Sequence, residues 1–338
     1  MKIIKVIRLF ICAYLIFFIG NLCYAQMGIK WQKHIGGTGT DVFLMKLDTQ
    51  GNKIWTKFYG GSSNDEYPDA AIDQEGNIYV CSTTFSENGD LLPDKRGLAD
   101  RWLFKTDPDG KLIWQKRIGG ASRDEGIWVK LKRNGNILTG GHTSSKNIDI
   151  PMNYGQTDDW IVEFTPDGEI VSNKVYGNIY SQYDYNGLAT EDGGFLLTSV
   201  SLGDEGMVQG VSQGSDDIWL VKIDKEYNIE WQGLYGGEND DGYVYDILQV
   251  EDGYVMIAMT LSIEGQNQSS GCMDEDIFRD LWLFKVDLLG NFKWGRCIGL
   301  PDVKEEPSLF QTWNFPANYK SIFPMEDGGF MVFASSPN

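Results

Sequence analysis

One short pattern, repeated five times, constrains this chain more than any other feature. It is an Asp, any residue, an aromatic and an apolar run that closes on a charged residue. The copies are DVFLMK at Asp41, DRWLFK at Asp100, DDWIVE at Asp158, DIWLVK at Asp217 and DLWLFK at Asp280. Their aromatics are Phe43, Trp102, Trp160, Trp219 and Trp282, spaced by 59, 58, 59 and 63 residues. A fixed period of this size means one supersecondary unit copied in tandem, each copy burying its apolar faces against its neighbours. The period speaks for a fold and names no substrate.

Each copy reads as four strands. In the second copy, DRWLFKTD alternates and is rich in large apolar residues, which is a strand pattern. Pro108-Asp109-Gly110 is turn chemistry, because Pro presets φ and Gly accepts positive φ. KLIWQKRI is the second strand and stops at Gly119-Gly120. GIWVKLKR is the third, Asn134-Gly135 signals a hairpin, and NILTGGHTS is the fourth. Tight turns recur at Gly51-Asn52, Asp167-Gly168 and Gly290-Asn291. Second hairpins recur at Gly76-Asn77, Asp192-Gly193, Asp252-Gly253 and Asp327-Gly328. Trp55, Trp114, Trp231 and Trp294 share one position of the second strand, with Ser172 as the exception. No segment carries a helical period.

Twenty strands in five four-stranded units predict an all-β protein, a β-propeller of five blades. A β-solenoid, with shorter repeats and no antiparallel hairpins, is the alternative. The chain ends on a third and fourth strand and starts on a first and second. The terminal pairs are therefore expected to join as one blade and close the ring. Residues 29–37, IKWQKHIGG, read as an orphan second strand.

The run DxWLxKxDxxGNxxWxxxxGGxxxD, followed by a DGG or EGN hairpin, resembles the tandem propeller repeats of secreted proteins in Bacteroidota-like bacteria. It is also similar to the broader bacterial propeller-repeat group, whose copies read DxxGNxYxxG. The resemblance covers residues 29–335 and implies a secreted or surface propeller. Trp55, Trp114, Trp231 and Trp294 resemble the docking tryptophans of quinone-dependent dehydrogenase propellers, but no quinone pocket or calcium ligands accompany them.

The first 25 residues are read as a secretory signal peptide. Lys2, Lys5 and Arg8 precede a short apolar run, and Cys23-Tyr24-Ala25 places small residues at a cleavage site before Gln26. The bulky Leu22 before Cys23 argues against lipidation. The remainder, 26–338, is expected to be a single propeller domain, monomeric, secreted or extracytoplasmic, without membrane insertion. Without the signal, 26 Lys+Arg face 48 Asp+Glu, a net of −22. Such a surface repels phosphate backbones and excludes nucleic acid as a partner. Cys81 reads as a core residue, and Cys272 and Cys297 could pair in an oxidising compartment. His34 and His142 are the only histidines.

Several constellations could carry chemistry. The repeated aromatics are expected to fill blade-to-blade interfaces. Asp41, Asp100, Asp158, Asp217 and Asp280, and Asp65, Asp124 and Asp241 after each Gly-Gly, are expected to cap turns through backbone N–H groups. Asp274-Glu275-Asp276 is the best cluster for a hard cation, with Asp274 and Asp276 as calcium ligands. Third strands, carrying Asp69, Asp73, Lys130, Lys132, Glu191, Tyr245, Asp246 and Lys320, are expected to line a central channel. Asp69, Asp73 and Asp246 are its candidate catalytic carboxylates. The insert PSLFQTWNFPANY supplies Phe310, Trp313, Phe315 and Tyr319 as a candidate ligand surface, beside the long 262–279 loop. With no nucleophile–base or metal signature, the expected role is binding or scaffolding of carbohydrate or protein. A glycoside-active enzyme using the channel carboxylates is the alternative.

Overall fold

The alternating runs form strands wherever Gly and Asx turns bracket them. The computed structural model describes residues 39–262, 280–298 and 322–332. The chain divides into two units, Met1–Ile35 and Gly36–Asn338, and every described residue belongs to the second. The leader, the orphan strand 29–37, His34, Cys272, Asp274, Asp276, Phe310, Trp313, Phe315, Tyr319 and Lys320 lie outside the described residues.

The strands in chain order are β1 (Val42–Leu47), β2 (Lys53–Tyr59), β3 (Asp65–Ile72), β4 (Ile78–Thr84), β5 (Asp100–Thr106), β6 (Leu112–Ile118) and β7 (Trp128–Leu131). Then follow β8 (Ile137–Gly140), β9 (His142–Thr143), β10 (Asp158–Phe164), β11 (Ile170–Tyr176), β12 (Gln182–Ala189), β13 (Phe195–Ser201) and β14 (Asp217–Ile223). The last are β15 (Ile229–Tyr235), β16 (Asp241–Val250), β17 (Gly253–Thr260), β18 (Asp280–Asp287), β19 (Phe292–Ile298), β20 (Ile322–Pro324) and β21 (Phe330–Val332). No helix occurs among the described residues. The protein is all-β.

Sheet membership is offset from the sequence copies. The sheets run β3-β4-β5-β6, β7-β8-β10-β11 with β9 also on β10, β12-β13-β14-β15, and β16-β17-β18-β19. Each joins the third and fourth strands of one copy to the first and second of the next, all antiparallel. β1-β2 and β20-β21 form two-stranded sheets of their own. They are the first-and-second and third-and-fourth pairs expected at the ends.

Five apolar clusters lie between sheets, and their membership gives the order. Val42 and Tyr59 pack with Val80, Trp102 and Phe104. Tyr79, Cys81 and Leu103 pack with Val129, Trp160 and Phe164. Trp128 and Ile161 pack with Phe195, Trp219 and Val221. Leu196 and Ile218 pack with Met256, Trp282 and Phe284. Val255, Ile257 and Leu281 pack with Ile322, Phe330 and Val332. Each sheet is thus stacked on the next in chain order, which is the arrangement of a β-propeller. Trp102, Trp160, Trp219 and Trp282 are wholly buried, each facing the preceding sheet. A ring of this size removes roughly 150–250 Å² from water, a gross gain of about 4–6 kcal/mol. Phe43 departs from this expectation. It belongs to the first sheet, has Phe58 at 5.2 Å as its one ring neighbour among the described residues, and stays exposed.

Cys297 is disulfide-bonded to a residue outside the described set, and Cys81 is a free, buried thiol, as expected of a small core residue.

Candidate functional site

Six of the eight repeated aspartates close turns. Asp65, Asp124 and Asp241 take the N–H of Gly61, Gly120 and Gly237 at 2.9, 2.6 and 2.6 Å, and the hydroxyls of Ser86, Ser145 and Ser262. Asp100, Asp158 and Asp217 take the N–H of Arg96, Tyr154 and Gln213, four residues back. Both sets meet at the first glycine of Gly-Gly. A Cβ on Gly119 would lie 2.6 Å from Asp100 Oδ1 and 3.0 Å from Asp124 Oδ2, so no other residue fits. Burial raises the carboxyls of Asp65, Asp100 and Asp217, and pushes Asp158 up to about 6.

The inner strands carry a second repeated device. Asp69, Asn186 and Asp246 hold one register position, opposite Cys81, Thr198 and Ile257. Each reaches the backbone of the next inner strand. Asp69 Oδ2 accepts from Val129 N at 2.9 Å, and Asp246 Oδ2 accepts from Ile322 N at 2.8 Å. Asn186 Nδ2 donates to Tyr245 O at 2.9 Å. Asp69 also pairs with Lys130 at 3.2 Å. Two of the three candidate catalytic carboxylates are therefore clamps between sheets. The third, Asp73, lies beyond the end of β3, where its carboxylate takes Asn77 N and Nδ2 at 2.8 Å each. It is a hairpin residue and not a channel-strand residue, and the same holds for Lys132 and Glu191.

A cavity of about 940 Å³ opens where β7, β12 and β16 run into their hairpin turns. Leu131, Leu188, Ile247 and Leu248 give it apolar surface. Lys130, Lys132, Arg133 and Lys225 line it together with Glu163, Glu191, Glu226 and Asp246. The sequence copies disagree with each other at this wall. The residue closing the first strand is Lys46, Lys105, Lys222 and Lys285, but Glu163 here. Its cross-strand partner is Trp55, Trp114, Trp231 and Trp294, but Ser172 here. The left-handed turn residue is Gly51, Gly110, Gly168 and Gly290, with φ between 71° and 86°, but Tyr227 here, with φ 70°.

These departures compensate one another. In three copies the tryptophan covers the glycine of the next turn. A Cβ on Gly110, Gly168 or Gly290 would lie 3.1, 3.2 or 2.6 Å from Trp55, Trp114 or Trp231. With Ser172 in the tryptophan's place that room is free, and the Tyr227 ring goes there, its hydroxyl donating to Glu163. Holding a tyrosine in that backbone region costs about 1–2 kcal/mol. Charge is exchanged as well. Lys222 and Lys285 pair with the hairpin acids Asp192 and Asp252 at 2.8 and 2.5 Å. Glu163 pairs with the hairpin base Lys132 at 2.7 Å.

Glu163 is buried and held by three donors. Lys132 and Tyr227 donate to Oε2, and Asn136 donates to Oε1 at 2.6 Å. Burial alone would raise its carboxyl, but the donors outweigh it and hold it below the usual carboxylate range. Burial, with Glu163 alongside, pushes the Tyr227 phenol up, so it keeps its proton and donates. The arrangement orients polar groups. It leaves Glu163 ionised, with no proton to give. Arg133 and Glu191, paired at 3.3 Å and largely exposed, form the accessible edge.

Sequence reading placed Asp246 at this cavity and missed Glu163 and Tyr227. Their signal lay in the strings themselves, as the one Glu among four Lys and the one Tyr among four Gly. Among the described residues, no group of three or more His, Cys, Asp or Glu is placed to hold a metal ion. His142 pairs with Glu125 at 3.1 Å.

No family model matches the sequence. The regulatory protein FlaEY of Caulobacter vibrioides is 25% identical over 140 residues, which is 38% of this chain; the chain spans 14% of that relative's length. Among solved structures, a thermostable family-43 glycoside hydrolase is similar with a TM-score of 0.40 and 11% identity, over 70% of this chain and 73% of that one. The family-93 α-L-arabinofuranosidase of Fusarium graminearum with arabinobiose gives 0.45 and 12%, over 69% and 66%. A Dyadobacter fermentans protein of unknown function gives 0.43 and 12%, over 70% and 69%.

Proposed function

We propose that the protein is a secreted, monomeric five-bladed propeller whose fifth blade joins β20-β21 to β1-β2, and that it binds carbohydrate in the cavity at the hairpin-turn mouth. The strand order third, fourth, first, second in four sheets supports the closure. One observation carries the site: Glu163 and Tyr227, two departures from the repeat linked through Ser172, the cross-strand partner of Glu163, line one wall of the cavity. Positions where a repeat breaks its own rule at a cost in strain are where function concentrates. Saccharides present hydroxyls that both donate and accept, and apolar C–H faces. Charged and amide groups fixed beside Leu131, Leu188 and Leu248 match that chemistry.

A glycan array on the full chain tests the reading. Arg133→Ala and Lys225→Ala, at exposed lining positions, should each weaken binding about fivefold or more, the value of a hydrogen bond or so. If both bind as the wild type does and Trp313→Ala does not, the site is the aromatic insert 307–319 instead. The second reading is a glycoside-active enzyme, the class of two of the solved structures named above. Its candidate carboxylates at the cavity are Glu191, Glu226 and Asp246, the lining acids other than the buried Glu163. Turnover in a polysaccharide hydrolysis screen, lost in Asp246→Asn with binding kept, would establish it over the binding module.

A further inference from the structure

Below the Gly-Gly turns and the equivalent Gly177-Asn178 turn, one carboxyl oxygen recurs without a partner. Oδ1 of Asp100, Asp158 and Asp217 is buried and accepts no hydrogen bond, while Oδ2 of each takes a loop N–H. A buried oxygen that accepts nothing is either strained or carries a proton of its own. Asp100 has Arg117 at 3.2 Å from Oδ2, both buried, and needs no proton. At Asp217 the facing group is Asp241, a second acid across Gly236. Asp158 is the clean case, because Gln182 replaces the acid found there in other copies.

Asp158 Oδ1 and Gln182 Oε1 both lie within 2.6 Å of the point where a Cβ on Gly177 would stand. That point is a bond length from the glycine backbone, so no cation can occupy it. Gln182 is oriented by Asn178, whose N–H donates to Oε1 at 2.8 Å and whose Oδ1 accepts from Nε2 at 2.6 Å. The amide thus turns its oxygen toward the aspartate. The groups around Asp158 are the Tyr154 and Gly155 N–H on its own loop, the Asn178 N–H and the neutral Gln182 amide opposite, and Lys146 as the nearby positive charge. No second acid faces it directly.

We propose that Asp158 is a proton-operated latch: its carboxyl is protonated on Oδ1 in mildly acidic surroundings and donates to Gln182 Oε1, tying loop 144–157 to the turn at 177–182. Above that range the proton leaves, and a buried carboxylate oxygen is left beside the Gln182 oxygen with the Asn178 N–H close to both. The carboxyl's position near 6, above the ordinary 3.8, agrees with this and sets the window. A folded-state value raised above the unfolded one means that the folded protein holds the extra proton between about pH 4 and 6. Stability is then fully present below about pH 4 and lost as pH rises through 6.

Melting temperature of the full chain between pH 4.5 and 7.5 tests it, with Asp158→Asn beside the wild type. An Asn amide donates to Gln182 at every pH and still accepts from Tyr154. The wild type should lose about 3–6 °C more than the variant across this range. At pH 7.5 the variant should melt at or above the wild type. A variant with the wild-type pH dependence, or one that melts lower at pH 7.5 or does not fold, overturns the latch. A carboxyl-carbon NMR titration gives an independent reading, and an Asp158 midpoint near 4 would overturn it too.

Discussion

At the scale of single residues, the exchange of Trp and Gly for Ser172 and Tyr227 makes a quantitative expectation. Ser172→Trp alone drives a ring into the space of Tyr227, an overpacking that should cost about 1–3 kcal/mol. Tyr227→Gly alone relieves the backbone but leaves a void and removes a donor from buried Glu163, again about 1–3 kcal/mol. The double variant restores the pair found in the other copies. Its loss should be smaller than the sum of the singles by about 1–3 kcal/mol, read by urea denaturation. Additive losses would mean that the two residues do not share the space. The three anomalies were visible in the letters of the repeat. That they meet was not, because Tyr227 bonds to Glu163 across 64 residues and through the next sheet's turn.

Elements were the most legible part. Period-two alternation and Asx-Gly turns place the strands, since each depends on local backbone chemistry alone. The function of inner-strand side chains depends on register, and the bulges set it. Pairing shifts between Glu66 and Asp69 and between Gly242 and Asp246. The shift holds Tyr67 and Tyr243 at φ 54° and 53° and aims Asp69 and Asp246 sideways at the next strand. A reading by alternation sends such carboxylates into the channel; the pairing shift instead turns them to the neighbouring strand. Asp69→Ala should cost about 1–3 kcal/mol by leaving Val129 N without its acceptor, and Asp69→Asn distinctly less, because the amide oxygen still accepts. Equal losses in thermal melts would mean that the Lys130 pair and not the clamp matters. Gly119→Ala should be at least as damaging, because its methyl would fall on two buried carboxyls.

For the molecule as a whole, two populations of aspartate oppose each other. Those in the tight turns, Asp48, Asp107, Asp224 and Asp287, are held below the usual range, by turn amides for the first three and by Lys293 foremost for Asp287. Lowered values contribute stability that is present above about pH 4 and lost as pH falls further. With the raised, buried aspartates acting in the opposite sense above it, the melting temperature should peak between about pH 4 and 6. A melting temperature still climbing at pH 3 would contradict this. The offset between copies and sheets reaches further. The long connection 202–216 leaves β13 and returns in β14, its neighbour in one ladder paired from Phe195↔Ile223 to Ser201↔Asp217. The short connection 177–181 passes between sheets. A protease that cuts at exposed Val211 therefore severs the chain inside a sheet. The two pieces should separate on a denaturing gel yet travel together through a sizing column, as a noncovalent heterodimer made from one gene product.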